Sequence, residues 1–340
     1  MRAAPLGSPI RPLDALLILL LISACSAQRP PAGDAVPQSA AAPTAAPGSA
    51  VTLHFAWPDG LRARVRTTSV KSQMIGPQSR TQDMVSTYSM TATRSERGTA
   101  VVFDEFEVDR PGANPDDQAV EMVLAYRPGF VVDEAGKLLE LAGLEPLGRL
   151  LTELQERSTT SPDEVRQGLQ AVAQTVSSED YLKARASSDW SNLIGAWVGQ
   201  TLTTGKVERT TEKTPPSGLV DQEIGTDVTV SVARIDACHR VQPRDCVRLR
   251  LTREPHPDQL REAMLPNLGK MLGVEDWGPE GAPELRDVTA TSQLIVDAEP
   301  DTLVPHRVEA VRVFSLEMHR PSGALQVRDS NRVTSTFQYD

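Results

Sequence analysis

Three cysteines and five histidines carry the most distinctive side-chain chemistry of this chain. Two of the cysteines, Cys238 and Cys246, stand eight positions apart in a polar segment that contains a proline. A thiol pair at this spacing can form a disulfide that closes the end of a hairpin. Together with His239, the same two thiols could instead ligate a metal, although no second cluster in the sequence supplies a fourth ligand. The compartment in which the protein folds decides between these two interpretations.

The third cysteine, Cys25, follows a segment that is typical of export. Arg2 and Arg11 give this segment its positive end, and an apolar run follows from Ala15 to Ile22. A positive region, an apolar region and a small-residue cleavage site in this order indicate a signal peptide. The apolar run of about eight residues is far shorter than the roughly 20 that a membrane-spanning helix needs.

Residues 22–25, Ile-Ser-Ala-Cys, resemble the bacterial lipobox, in which a small residue precedes the cysteine that receives diacylglycerol. The resemblance implies a lipoprotein signal peptide over residues 1–24 and a lipid anchor on Cys25. The alternative is an ordinary secretory signal with a chance cysteine. If the enterobacterial sorting rule applies, Ser26 directs the protein to the outer membrane and hence to its periplasmic face. Since exported proteins fold under oxidising conditions, a Cys238–Cys246 disulfide is favoured over a metal site, and we expect no cofactor.

The charge of the chain limits its partners. The formal net charge is −10, and it becomes −11 without residues 1–24, which contain two arginines and one aspartate. Nucleic-acid binding needs concentrated basic charge, so nucleic acid is excluded as the expected partner. An acidic body is also not attracted to anionic lipid, and attachment to a membrane then depends on the lipid anchor. Residues 25–50 are rich in Ala and Pro and are predicted to form a flexible tether.

From Val51 onward, apolar and polar residues alternate between turn residues, which predicts half-buried antiparallel strands. The carboxyl half alternates again, and the Cys238–Cys246 loop is predicted to join two paired strands there. The predicted strands include 85–93, 100–108, 119–126, 130–132, 202–211, 226–235, 288–296, 303–316 and 324–337.

The middle of the chain changes to a helical period. Leucines from Leu138 to Leu154 recur at steps of three and four, which predicts a helix near residues 145–157. Ser161-Pro-Asp-Glu164 forms a capping box that predicts a second helix to about Val176. A third is predicted from about Ser178, continuing in two pieces through Trp197, and a further short helix is predicted at 257–272.

The motifs of common enzyme classes are not found in the sequence, which contains no nucleophile elbow, phosphate loop or dinucleotide glycine fingerprint. The five histidines are scattered, and a histidine near a turn is usually only solvated. Aromatic residues make up 4% of the chain, fewer than a sugar-binding hydrolase cleft usually uses. The sequence therefore predicts a protein that is not an enzyme.

The order of elements, together with the lipobox, is similar to that of bacterial lipoprotein-fold carriers of the LolA, LolB and LppX kind. This resemblance implies an α+β fold, in which a large curved antiparallel half-barrel sheet has helices packed on its concave face over an apolar cavity. It extends over residues 51–340, which we expect to form a single domain. The ligand-binding residues predicted on the helices are Leu147, Leu151, Leu154, Trp190, Ile194 and Trp197.

Two main functional hypotheses follow from these observations, and a less favoured third is an enzyme, which would need a cleft where a histidine or a pair of carboxylates converges. The first is a membrane-anchored envelope lipoprotein that binds or carries a lipid or another hydrophobic ligand between sheet and helices. The second is a structural or interaction lipoprotein, an accessory of an envelope protein complex that holds no ligand. The helix leucines and tryptophans fit either hypothesis, because a filled core and a cavity wall have the same periodicity.

Overall fold

The computed structural model describes residues 48–112, 115–160, 163–214, 220, 222–235, 238, 246–271, 284–320 and 323–340. The predicted signal peptide, the lipidation residue Cys25 and most of the predicted tether lie outside the described residues. The same holds for Ser161 of the predicted capping box and for His239.

Long antiparallel strands dominate the described part of the chain. They are β1 (Ala50–Thr52), β2 (Leu61–Ile75), β3 (Gln78–Ser95), β4 (Gly98–Asp109), β5 (Gly129–Val132), β6 (Leu138–Ala142), β7 (Thr201–Thr203), β8 (Val207–Thr214), β9 (Ile224–Ile235), β10 (Cys246–Pro255), β11 (Glu284–Ala298), β12 (Pro305–Arg320) and β13 (Gly323–Tyr339). Short β1 and β7 pair only with each other, and the other eleven strands form one open sheet in the order β6-β5-β4-β3-β2-β13-β12-β11-β10-β9-β8.

This sheet consists of two meanders joined at its centre. Strands β2 to β6 follow one another on one side, and strands β8 to β13 follow one another on the other. The junction is the long antiparallel pairing of β2 with β13, in which Val65 lies opposite Phe337. Residues near both ends of the folded chain therefore meet in the middle of the sheet, and its integrity depends on contacts far apart in sequence.

Helices interrupt the strands at three places. They are α1 (Pro115–Ala125), α2 (Glu145–Thr160), α3 (Asp163–Ser177), α4 (Glu179–Trp190) and α5 (Pro257–Met271). A π-helical turn, Ser191–Gly195, continues α4. The predictions of α2, α3, α4 and α5 are confirmed, and the third predicted helix passes at Trp190 from α-helical into π-helical winding. With helices and an antiparallel sheet segregated along the chain, the fold is α+β, as predicted.

Three local predictions were wrong. The strand predicted at 202–211 is interrupted at residues 204–206, so that its two ends belong to β7 and β8 in different sheets. Residues 119–126 lie mostly in α1 rather than in a strand, because Ala119, Val120, Val123 and Leu124 recur at helical spacing and pack against α2 and α3. The leucine repeat also begins too early in the prediction. Leu138 and Leu141 belong to β6, where backbone pairing with β5 takes precedence over the three-residue step.

The buried residues of the sheet lie on the face that the helices cover. The main cluster combines residues of nearly every long strand with Trp190 and the residues that follow it. A second cluster, the α5 cluster, joins α5 to the far ends of β11 and β12 through residues such as Met264, Leu285 and Met318. We call this helix-covered side the inner face.

Candidate functional site

The predicted ligand-binding tryptophans are packed inside the main cluster. Trp190 contacts Phe55, Trp57 and Phe130 edge to face, with ring centroids 5.2 to 6.1 Å apart. Its Nε1 donates a hydrogen bond of 2.8 Å to the carbonyl oxygen of Gly136. Two further predicted ligand-binding residues, Ile194 and Trp197, are at most 1% exposed. The structure thus brings these three predicted residues together in a close-packed core.

The three predicted leucines lie elsewhere. Leu154 is buried among α1, α2 and α3, whereas Leu147 packs with Tyr126 and Leu182 in a neighbouring cluster. Leu151 lies at the edge of both clusters. The six predicted residues therefore belong to separate clusters, and they do not line one common volume. Their role in ligand binding stays a prediction.

Sequence reasoning missed a line of polar side chains that crosses the inner face. Six residues on six neighbouring strands lie directly opposite one another in register, each paired with the next. We call this line the polar row; from β3 to β10 it consists of Gln82, Lys71, Asn331, Arg312, Ser292 and Arg253. All six side chains are intermediate in exposure, neither fully buried nor fully open to solvent.

The polar row separates two apolar regions of the same face. On one side lie Leu251, Leu294 and Ala310, each two residues along its strand from a member of the row and part of the main cluster or packed against it. On the other side, Phe314 and Leu316 lead to the α5 cluster. Side chains two positions apart on a strand point to the same face. The row is therefore a polar band inside a surface that is otherwise apolar.

Burial shifts the pKa values of the ionisable groups near the centre of this polar row. Burial lowers the pKa of the Lys71 ammonium group, and the negative charges of Asp329 and Glu121 oppose that shift. Burial also raises the pKa of the Asp329 carboxyl group, against the effect of Lys71. One oxygen of this carboxyl group, Oδ1, is buried and accepts no hydrogen bond from the described residues. Water therefore solvates both charged forms poorly.

Further polar contacts hold the band in place. The Arg253 guanidinium donates to Glu212 at 3.0 Å, and both side chains are sheltered from solvent. Ser69 donates to Asn331 at 3.2 Å, so that a hydroxyl group extends the band towards the main cluster. The three cationic side chains of the row, Lys71, Arg253 and Arg312, are accompanied by an equal number of carboxylates, those of Asp329, Glu121 and Glu212. Cationic side chains in a sheltered place can bind an anionic group through charge-assisted hydrogen bonds.

The two cysteines of the predicted hairpin also come together. Cys238 and Cys246 lie at disulfide distance, with Cα atoms 5.4 Å apart at the end of the β9–β10 hairpin. The histidine beside them is His306 of β12; one of its ring nitrogens and the two cysteine Sγ atoms all lie within 4.8 Å of one another. His306 is sheltered, with 10% of its side chain exposed, so the expectation of a merely solvated histidine was wrong for this residue.

A surface depression of about 470 Å³ lies on the outer side of α2. Four of its six lining residues carry a charge. The lining residues are Glu145, Gly148, Arg149, Thr152, Glu153 and Glu156.

Comparisons with known proteins add no family to this description. No family model matches the chain, and no curated protein matches its sequence. Within the described residues, none of the helices combines the length and apolarity that are needed to cross a bilayer.

Proposed function

We propose that the protein is a lipid-anchored binding protein of the bacterial envelope that holds an amphiphilic ligand, such as a lipid, against the inner face of its sheet. The polar row is the observation that carries this proposal. A purely structural sheet gains most by keeping its covered face apolar, because polar groups lose hydration there. Three cationic side chains aligned across an apolar face instead match a ligand that has both an apolar body and an anionic head.

The contacts of α4 and of the π-helical turn after it support a sheet that curves around its inner face. Trp190 reaches Phe130 on β5, and the π-helical turn directly after it contacts β11 and β12. Strands β5 and β12 are five positions apart in the sheet, about 24 Å if the sheet were flat. A helix with its side chains is only about 10–12 Å wide. These contacts favour a half-barrel with the helices on its concave face, as in the carriers that the sequence resembles.

The proposed lipid anchor on Cys25 would keep the binding domain at the membrane. The lipobox resemblance at residues 22–25 supports cleavage before Cys25 and attachment to the periplasmic face of the outer membrane. A flexible tether over residues 25–50 would let the domain stand roughly 25 to 30 Å from the membrane surface. A ligand-binding domain at that distance can exchange an amphiphile with the bilayer to which it is tethered.

The decisive experiment combines native mass spectrometry with extraction of bound lipid from the full chain, produced in a bacterial envelope. We expect a co-purifying anionic amphiphile. The double variant Lys71→Gln, Arg312→Gln should lower its occupancy at least about 10-fold, since a hydrogen bond to a charged group contributes about 1.5–3 kcal/mol. Arg66→Gln with Arg328→Gln removes the same charge from the opposite face of the sheet and should leave occupancy unchanged.

The close packing of Trp190, Ile194 and Trp197 favours a second candidate, an interaction lipoprotein that acts in an envelope complex without a ligand. A ligand-free protein that unfolds in one cooperative transition would support this candidate. Equal ligand occupancy in the inner-face and outer-face variants would show that the polar row does not bind the ligand.

A further inference from the structure

The cluster around the two hairpin cysteines has the composition of a metal site. Cys246 opens β10, Cys238 follows the end of β9, and His306 comes from β12, on the far side of β11. One potential ligand atom from each of these residues lies within 4.8 Å of the other two. The sequence suggested His239 as the third ligand, whereas the fold brings in a histidine 60 positions away from Cys246 in the chain.

The surroundings of His306 resemble the outer shell of a metal-binding histidine. Its Nε2 lies 3.3 Å from Oε1 of Glu299, a contact that orients the imidazole ring. The second oxygen of this carboxylate accepts a hydrogen bond of 3.0 Å from the Thr302 hydroxyl group. Metal-ligating histidines commonly have such a carboxylate on the other ring nitrogen, where it fixes the tautomer and raises the basicity of the ligand.

The turn that carries Glu299 and leads to His306 is held rigidly. Leu303 adopts a φ of +56°, a conformation that a branched residue avoids unless its surroundings impose it. Its side chain is fully buried, and its carbonyl oxygen accepts a 3.0 Å hydrogen bond from Trp57 Nε1. The position of His306 beside the cysteines is therefore set by the core, which is what a preorganised ligand requires.

We propose that Cys238, Cys246 and His306 form a redox-controlled zinc site. In the oxidised chain the cysteines are joined as a disulfide and bind no metal. A dithiol reductant supplies two electrons and two protons, which break the sulfur–sulfur bond and leave two thiols while the reductant becomes a cyclic disulfide. The two thiols then bind one Zn²⁺ with release of two protons, and His306 contributes a neutral ring nitrogen.

The ligand set favours zinc over other common cations. Two thiolates and one imidazole suit Zn²⁺, whereas Mg²⁺ and Ca²⁺ prefer oxygen ligands. Three protein ligands leave the fourth tetrahedral position for water or for another molecule, as in zinc sites that react or exchange ligands. Cys246 is 1% exposed and His306 is sheltered, so the site excludes most of the competing solvent.

The test uses the full-length chain in detergent, with Cys25→Ser to remove the remaining thiol. Zn²⁺ alone is titrated against the dithiol-reduced and the oxidised protein, with competition against a chelator of known affinity. We expect one Zn²⁺ per reduced chain and none per oxidised chain. Co²⁺ in place of Zn²⁺ should give thiolate-to-cobalt charge-transfer absorption, a readout that reports sulfur ligation directly.

Two variants assign the nitrogen ligand. His306→Ala should lower the zinc affinity of the reduced chain at least about 10-fold, and Glu299→Gln should lower it about 10- to 100-fold. His256→Ala is the matched control, because His256 contacts Asp227 on the surface and should leave affinity unchanged. If His306→Ala does not fold, Glu299→Gln carries the test. A reduced parent chain without stoichiometric zinc, or His306 and Glu299 variants that bind zinc as the parent does, would overturn the proposal.

Discussion

At the scale of single residues, the polar row could not be predicted from the sequence, because its members lie on different strands and the sequence of one strand does not show which residues lie opposite. Arg312 interrupts the inner-face sequence Val308, Ala310, Phe314, Leu316, and this break is visible in the alternation of β12. The sequence does not reveal that Lys71 and Arg253 break their own strands at the same level. That coincidence depends on the register of six strands, which pairs residues more than 200 positions apart.

The same limit applies to the cysteines and the histidine beside them. The short spacing of Cys238 and Cys246 made their pairing predictable, since eight residues suffice to close a hairpin. His306 was not predictable, because it joins them across β11 through a turn whose backbone is set by tertiary contacts. The contact between two cysteines close in sequence could thus be predicted, whereas the approach of His306, which depends on the order of strands in the sheet, could not.

Replacement of Asp329, two residues from Asn331 of the polar row on β13, should reveal the effect of burial on a carboxyl group there. Burial raises the pKa of this carboxyl group, so folding disfavours its charged form. Its contribution to the free energy of unfolding is therefore fully present below the unfolded pKa of about 3.9 and is lost as pH rises through the folded pKa. Asp329→Asn should stabilise the protein by up to about 1 kcal/mol at pH 7, reduced by partial exposure and by loss of the Lys71 contact.

Urea unfolding at pH 7 and pH 4 measures this difference. The gain of the Asn variant over the parent should shrink at the lower pH, where a larger share of the parent carboxyl groups is protonated. Asp301→Asn, in an exposed turn, is the control and should change stability little at either pH. A variant that is less stable than the parent at pH 7 would show that the attraction to Lys71 outweighs the cost of burial.

At the scale of elements, local periodicity predicted the helices well where they are amphipathic. The spacing of apolar residues gave α2 and α5 to within a few residues, because each presents one apolar stripe to a neighbour, and the capping box gave α3. The segment 119–126 was misassigned since its apolar residues are nearly continuous and fit either period. The π-helical turn after Trp190 has no local sequence pattern; it depends on how Ile194 and Trp197 fit into the main cluster.

Two glycine-to-alanine changes should have opposite effects. At Gly195 a Cβ atom would lie 2.4 Å from Nε1 of Trp190, so Gly195→Ala should displace the indole ring and cost about 1–3 kcal/mol. At Gly148, on exposed α2, a Cβ atom would meet nothing within 4 Å. Gly148→Ala should therefore gain up to about 1 kcal/mol from helix propensity alone.

Urea unfolding followed by tryptophan fluorescence distinguishes the two glycine positions, and the Gly195 variant should also have a changed native emission. Equal stability of Gly195→Ala and the parent would mean that the π-helical turn adjusts to accept the methyl group. In that case the packing of Trp190 would be less restrictive than the structure indicates.

At the scale of the whole molecule, the α+β class and the antiparallel style of the sheet were predictable, because alternation and turn residues mark strands along the chain. The order of the strands was not. Pairing of β2 with β13 places the two meanders in one continuous sheet, and it requires a contact across most of the chain that no local pattern encodes. The polar row crosses this junction, so the proposed binding surface exists only when both meanders are assembled.

Membrane attachment belongs to the same scale, because we attribute it to one residue outside the folded domain. Cys25→Ser should abolish stable membrane association of the cleaved protein, since the acidic body has no electrostatic attraction to anionic lipid. Fractionation with intact-mass measurement checks this: the parent should carry acyl chains, and the variant should be either soluble or uncleaved. The double variant Cys238→Ser, Cys246→Ser is the control and should remain in the membrane fraction. Correctly cleaved Cys25→Ser protein that stays firmly in the membrane would show that the domain itself, through an apolar surface, holds the bilayer.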